Sequence, residues 1–121
     1  MQTRAIRGAI TLNKNSKDEI KDATVELTRA ILKENNVKIE DIAFVIYTVT
    51  SDIDAAFPAK FAREDLDFSF VPMMCYREME VKGAIELCLR ALVVINTDKT
   101  QKEIKHQYLK GAQKLRPDIT E

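Results

Sequence analysis

The 121-residue sequence predicts an α+β fold, a mixed β-sheet of about five strands packed on one long helix. Three observations carry that class. Arg4 to Thr11 (RAIRGAIT) sets Ile6, Gly8 and Ile10 against Ala5, Arg7 and Ala9, the period-two alternation of a strand. Ile20, Ala23, Leu27 and Ala30 or Ile31 then recur at helical spacing as far as Glu34. After Asp41, the run IAFVIYTVT is β-branched and aromatic almost throughout, too short and too β-rich for a helix.

Taken in order, the first strand carries an arginine, Arg7, on one face. Ser16 with Glu19 three residues on forms a capping box, which fixes where the long helix begins. Asn35 and Asn36 tolerate the left-handed conformation and supply its stop, and Val37 to Asp41 reads as a connecting turn. IAFVIYTVT is expected to be a central strand covered on both sides. A loop with Asp52 and Asp54 follows, and Pro58, whose fixed φ suits a first helical position, opens a short helix through Ala59, Lys60 and Arg63. A third strand spans about Phe68 to Arg77, and Pro72, which has no N–H to donate, places it at an edge or bulge.

Ala84 to Asn96 (AIELCLRALVVIN) is ambiguous at its start, but LCLRALVVI favours a buried strand. Thr97 to Lys105 reads as a turn and short helix, His106 to Leu109 as a final short strand, and a mobile tail is expected from about residue 112. No repeat or linker divides the chain, so residues 1–121 are read as a single domain.

Composition narrows function by exclusion. Nineteen basic residues balance nineteen acidic ones, leaving no overall field to draw nucleic acid or an anionic membrane surface. No window approaches the roughly 20 apolar residues of a membrane span, and no apolar signal region follows Met1 to Arg7, so the reading is a cytoplasmic protein. Cys75 and Cys88, embedded in apolar strand-like sequence, read as free thiols rather than a disulfide framework. With His106 the single histidine, a serine or cysteine triad is hard to build, and no zinc spacing exists. Gly8, Gly83 and Gly111 are too scattered for a dinucleotide turn or a phosphate loop. The expectation is therefore an activity using no metal and no cofactor.

What remains is arginine where charge is expensive. Arg7 lies within the first strand, and Arg90 within LCLRALVVI on the same strand face as Cys88, Leu92 and Val94. Arg90 is either the partner of a buried carboxylate such as Glu78 or Glu86, or a pocket arginine awaiting an anionic ligand. Lys60, Arg63 and Arg116 taken alone read as solvated charges, Tyr108 and Phe57 as packing residues, and Cys75 as a small buried hydrophobe.

Together these positions resemble the AroH class of chorismate mutase. The resemblance is carried by RxIRGAxT at Arg4 to Thr11, FPAKxxRE at Phe57 to Glu64 and VPxxCxxEMxVxG at Val71 to Gly83. It continues through CxRxxxxxxTD at Cys88 to Asp98 and HxYLxxAxxLRPD at His106 to Asp118, so practically the whole chain is covered. It implies a homotrimeric pseudo-α/β-barrel, with chorismate as substrate, prephenate as product and sites between subunits. It also implies that Arg7 and Arg90 bind the substrate's carboxylates, with Arg90 reaching the ether oxygen whose bond breaks. Glu78 and Cys75 would meet the ring hydroxyl region, and Tyr108 would support a carboxylate. Phe57, Ala59, Lys60 and Arg63 would come from the neighbouring chain, and Leu115 and Arg116 would fold over the mouth. Met74 stands where the family commonly has a small hydroxyl residue, and Met73 replaces a smaller apolar one, which implies a reshaped pocket wall. A trimeric imine deaminase of the YjgF-like kind, or a non-catalytic trimeric binding protein, is the competing expectation.

Overall fold

The computed structural model describes residues 1–116. Five strands, β1 (Gln2–Thr11), β2 (Ile42–Val49), β3 (Met73–Arg77), β4 (Cys88–Thr97) and β5 (Gln107–Leu109), form one sheet in the order β3-β2-β4-β1-β5. β4 is its middle strand and runs antiparallel to both β1 and β2, while β3 lies parallel to β2 and β5 parallel to β1. The sheet is therefore mixed, as the strand pattern predicts. β1 and β2 point the same way on either side of β4, and the connection between them is the long helix α1 (Lys17–Glu34).

α1 begins where expected, at Ser16, whose hydroxyl accepts from the Glu19 N–H at 3.2 Å. The box is not reciprocal, because the Glu19 carboxylate accepts from the Asn13 N–H at 2.8 Å and so ties down the chain entering the cap. The stop is Asn36 at φ 52°, while the Asn35 side chain turns inward and bonds the Ile31 and Lys105 carbonyls. α1 buries Ile20, Leu27 and Ile31 against Ile6, Ile10, Leu89 and Val93 of the sheet. The contact is close enough that a Cβ on Gly8 would stand 2.7 Å from Ile31 Cδ1 and 2.9 Å from Leu27 Cδ1, so glycine lets helix and strand approach. Within this core the Tyr47 hydroxyl pairs with Thr28 Oγ1 at 2.8 Å, and burial raises its pKa.

Several expected bounds shift. The third strand starts only at Met73, because residues 68–72 turn with Phe68 buried, and β3 takes the edge position that Pro72 predicts. The fourth strand, ambiguous at its start, begins at Cys88, one residue into LCLRALVVI, and runs on to Thr97. β2 is covered on one side only: Val45 and Tyr47 are fully buried, while Phe44 is 40% exposed on the far face. A one-residue bulge at Ala43 sets that phase. The short helix α2 (Pro58–Asp65) opens on Pro58. Residues Ala112 to Leu115, expected in the tail, belong to a 3₁₀ turn spanning Lys110–Leu115, with Ala112 fully buried. Residues 117–121, the rest of that expected tail, lie outside the described residues. Among the described residues no helix is long and apolar enough to cross a membrane.

Candidate active site

The face of the sheet turned away from α1 carries the charge. Register aligns Tyr108, Ala9, Arg90, Thr48 and Tyr76 on one rung across all five strands, and partners in register share a face. Arg7 stands on the neighbouring rung opposite Leu92. That makes it a diagonal neighbour of Arg90, with backbones roughly 7–8 Å apart. Two cations thus share one uncovered surface.

Glu78 completes the pair from a loop. Its N–H donates to the Val49 carbonyl at 2.8 Å, which aims its carboxylate across β2. There Oε1 accepts from Thr48 Oγ1 at 2.7 Å and lies 3.5 Å from Arg90 Nε. The two side chains are 27% and 24% exposed, so the ion pair is largely desolvated. Arg90 Nε is nevertheless out of solvent without a hydrogen-bond partner among the described residues, its contact with Glu78 falling short of that geometry. Both readings of Arg90 therefore hold: it has a carboxylate partner, and it keeps an unmet donor. A buried unmet donor costs about 1–3 kcal/mol, which a ligand acceptor would relieve.

Tyr108 is the second such group. It is 4% exposed, packs with Ala9, Cys88 and Ala112 beside Leu115, and its hydroxyl finds no hydrogen-bond partner among the described residues. Ala9 separates Tyr108 from Arg90 on the rung, so the smallest side chain sits between two unsatisfied polar groups. Cys88 is buried next to them, and burial raises its thiol pKa against the opposing pull of the Arg90 guanidinium.

His106 supports Arg7. Its Nδ1 accepts the Arg7 backbone N–H at 2.9 Å, which requires a neutral ring protonated on Nε2. Burial lowers the imidazole pKa, and Arg7 and Arg116 lower it further. Arg116 thereby joins the group, beside the half-buried Leu115. One chain brings together Arg7, Arg90, Glu78, Tyr108, Leu115 and Arg116.

The other expected residues gather elsewhere. Phe57, Lys60 and Cys75 line a cavity of about 510 Å³ between the start of α2 and the end of β3. Cys75 is on the Tyr47 rung, facing α1, and its thiol meets the Ala59 backbone; burial raises its pKa. Its expected grouping with Glu78 is not made within one chain, since strand alternation puts Cys75 and the Arg90 rung on opposite faces. Arg63 is exposed on α2. Met73 packs toward the core with Cys75, whereas Met74, 57% exposed, lies opposite Ile46 on the far face and accepts from the Tyr76 hydroxyl at 3.2 Å. Within one chain the two methionines therefore face opposite sides of β3.

Sequence reasoning missed Thr48, Cys88 and His106 as parts of the site. Thr48 carried a signal, a hydroxyl two residues before Thr50 in an otherwise apolar strand.

Residues 3–119 match the family model for chorismate mutase type I. The chain belongs to the type I chorismate mutases. It is thus an isomerase of that class, and the deaminase-like and non-catalytic alternatives are left without support. Among its relatives, chorismate mutase AroH of Bacillus subtilis (strain 168) is 38% identical over 120 residues, covering 99% of this chain and 94% of that protein. Chorismate mutase AroH of Thermus thermophilus is 41% identical over 117 residues, covering 96% and 95%. A solved chorismate mutase from Clostridium thermocellum superposes with a TM-score of 0.88 at 44% identity, covering 91% of this chain and 97% of that one.

Proposed function

We propose that this chorismate mutase converts chorismate to prephenate by an intramolecular Claisen-type rearrangement, in the cytoplasm, as a step toward phenylalanine and tyrosine. The observation that carries the residue roles is Arg90: a desolvated guanidinium with an unmet donor, on an uncovered face beside a second arginine. The rearrangement moves no proton and needs no nucleophile. Two barriers are left to the protein: holding a flexible dianion compact, and stabilising charge that grows on the ether oxygen as the carbon–oxygen bond stretches. Arg7 serves the first and Arg90 mainly the second. Tyr108 offers a carboxylate its hydroxyl, which has no hydrogen-bond partner among the described residues. Thr48 and Arg90 both engage Glu78 Oε1, leaving Oε2 to accept from the ring hydroxyl.

The working form is a homotrimer with shared sites. One chain displays two incomplete halves, Arg7, Arg90, Glu78 and Tyr108 on the far face, and Phe57, Lys60 and Cys75 around their own cavity. The far face also exposes Phe44, Met74 and Tyr76, apolar surface suited to burial against another copy. Because Cys75 shares its cavity with Phe57 and Lys60, it joins Ala59 and Arg63 in the wall supplied by the neighbour. Such head-to-tail sharing closes as a ring.

Loss of chorismate absorbance in the presence of the purified protein tests the activity, and a rate no higher than the spontaneous one would remove it. Sharing is tested by mixing subunits. Arg90→Ala and Lys60→Ala proteins, unfolded and refolded together in equal amounts, should recover about one quarter of the wild-type sites, because a site is intact only when each neighbour brings its undamaged half. No recovery would mean that each site lies within one chain.

A further inference from the structure

The two charged partners of the far face hang on three residues of one short stretch, Val49, Thr50 and Asp52. Val49 accepts from the Glu78 N–H at 2.8 Å, and Thr50, the next residue, holds Cys88 from both sides: its N–H donates to the Cys88 carbonyl at 3.1 Å and its Oγ1 accepts from the Cys88 N–H at 3.0 Å. The Thr50 hydroxyl donates in turn to Asp52 Oδ1 at 2.5 Å, and Asp52 Oδ2 accepts from the Leu87 N–H at 2.9 Å. One carboxylate thus spans the hydroxyl that orients Cys88 and the amide just before it.

Leu87 needs that grip. It stands at φ 47°, the left-handed region that residues other than glycine disfavour, and its carbonyl is taken by the Leu12 N–H at 2.8 Å. This turn sets the phase in which β4 enters the sheet, with Cys88 opposite Thr11 and hence Arg90 opposite Ala9. A slip of one residue would carry Arg90 to the helix side, and a small rotation would move its guanidinium relative to Glu78.

We propose that Asp52 is a positioning residue for catalysis, acting through Thr50 and the left-handed Leu87 to hold Arg90 against Glu78 in the geometry the reaction uses. The proposal rests on the activity proposed above, with Arg90 and Glu78 in those roles. Both Asp52 carboxylate oxygens are engaged by the chain itself, so in this role Asp52 acts through Thr50 and Leu87.

The test is steady-state turnover of chorismate by Asp52→Ala, Asp52→Asn, Thr50→Val and the double variant Thr50→Val/Asp52→Ala, each normalised to folded protein by circular dichroism. Misplacement of a catalytic group by about 1 Å lowers rate by up to about 10²-fold, so Asp52→Ala should lose roughly 10- to 10²-fold in kcat with KM changed by less than about 3-fold. Asp52→Asn keeps one carbonyl oxygen for the Leu87 N–H and should fall between wild type and Asp52→Ala. The double variant should be no slower than the slower single one, because the residues act as one unit. An unchanged kcat in folded Asp52→Ala, a loss confined to KM, or losses that multiply in the double variant would each overturn the proposal. If Asp52→Ala does not fold, Thr50→Val carries the test, and an unchanged kcat there is equally fatal. A wild-type protein that does not turn over chorismate would instead remove the activity on which the proposal rests.

Discussion

Replacing Arg90 with alanine should lower kcat by about 10²- to 10³-fold. The magnitude follows from the surroundings of the guanidinium. Its side chain is 27% exposed, so an effective dielectric of about 20 applies, and a full charge at about 4 Å would interact by ~4 kcal/mol. With about half a charge developed on the ether oxygen, that is ~2 kcal/mol. The Nε–H, which gives up no hydrogen bond to the described residues to meet the ligand, adds ~1 kcal/mol. The sum, ~3 kcal/mol, corresponds to a little over 10² in rate. KM should rise as well, because Glu78 loses its counter-ion and its carboxylate is left beside a dianionic substrate. Arg90→Ala/Glu78→Gln should therefore recover part of the KM loss without recovering kcat. The assay is steady-state loss of chorismate absorbance with each purified variant. A near wild-type kcat in Arg90→Ala would refute the assignment, and recovered kcat in the double variant would mean that Arg90 only neutralises Glu78.

Arg116→Ala should raise KM while leaving kcat within a few-fold, as expected of a group that retains substrate rather than stabilising the transition state; a selective loss of kcat would contradict that role. Acid should weaken the fold through His106. Its folded pKa lies below the ordinary 6.5 because of burial, with Arg7 and Arg116 adding to the shift. The unfolded chain therefore binds a proton that the folded chain resists, so the stability tied to a neutral His106 is present above about 6.5 and is lost as pH falls from there toward the depressed folded value. Wild type should lose more thermal stability between about pH 7.5 and about pH 5 than His106→Asn, whose Oδ1 can still accept the Arg7 N–H without titrating. Equal losses would show that His106 does not govern this window.

Much of the fold was legible because local and global preferences agree. Ser16, Asn36 and Pro58 mark helix ends by backbone chemistry alone, and each stands where its conformational preference predicts. IAFVIYTVT misled for a physical reason. A strand buried on both faces and a strand with one apolar face left open use the same residues, and only the parity of Val45 and Tyr47 against Phe44, displaced by the bulge at Ala43, tells them apart. The 3₁₀ turn at Lys110–Leu115 is similarly silent, since Ala112 is a weak hydrophobe whose burial is decided by its neighbours Ala9, Cys88 and Tyr108.

The site divides along the same line. Arg7 and Arg90 were visible because an arginine in an apolar strand must be explained by a partner or a ligand, whereas their shared face is set by the β1–β4 register. Which residues belong to the same half of a site follows only once the strand bounds are known. Cys75 and Glu78 are three apart and look adjacent, yet an odd spacing in extended backbone puts them on opposite faces, and the Glu78 N–H bond to the Val49 carbonyl carries the β2–β3 ladder one residue past Arg77, leaving the Glu78 side chain on the side of Thr48 and Arg90. Cys75, still within the strand, keeps the parity of Tyr47 and faces the α2 cavity. Odd spacing along one strand thus assigns two neighbouring site residues to different surfaces of the chain. If both address one substrate, as the proposed function has it, at least two copies must meet, and that condition follows from the parity of Cys75 and Glu78 along the chain.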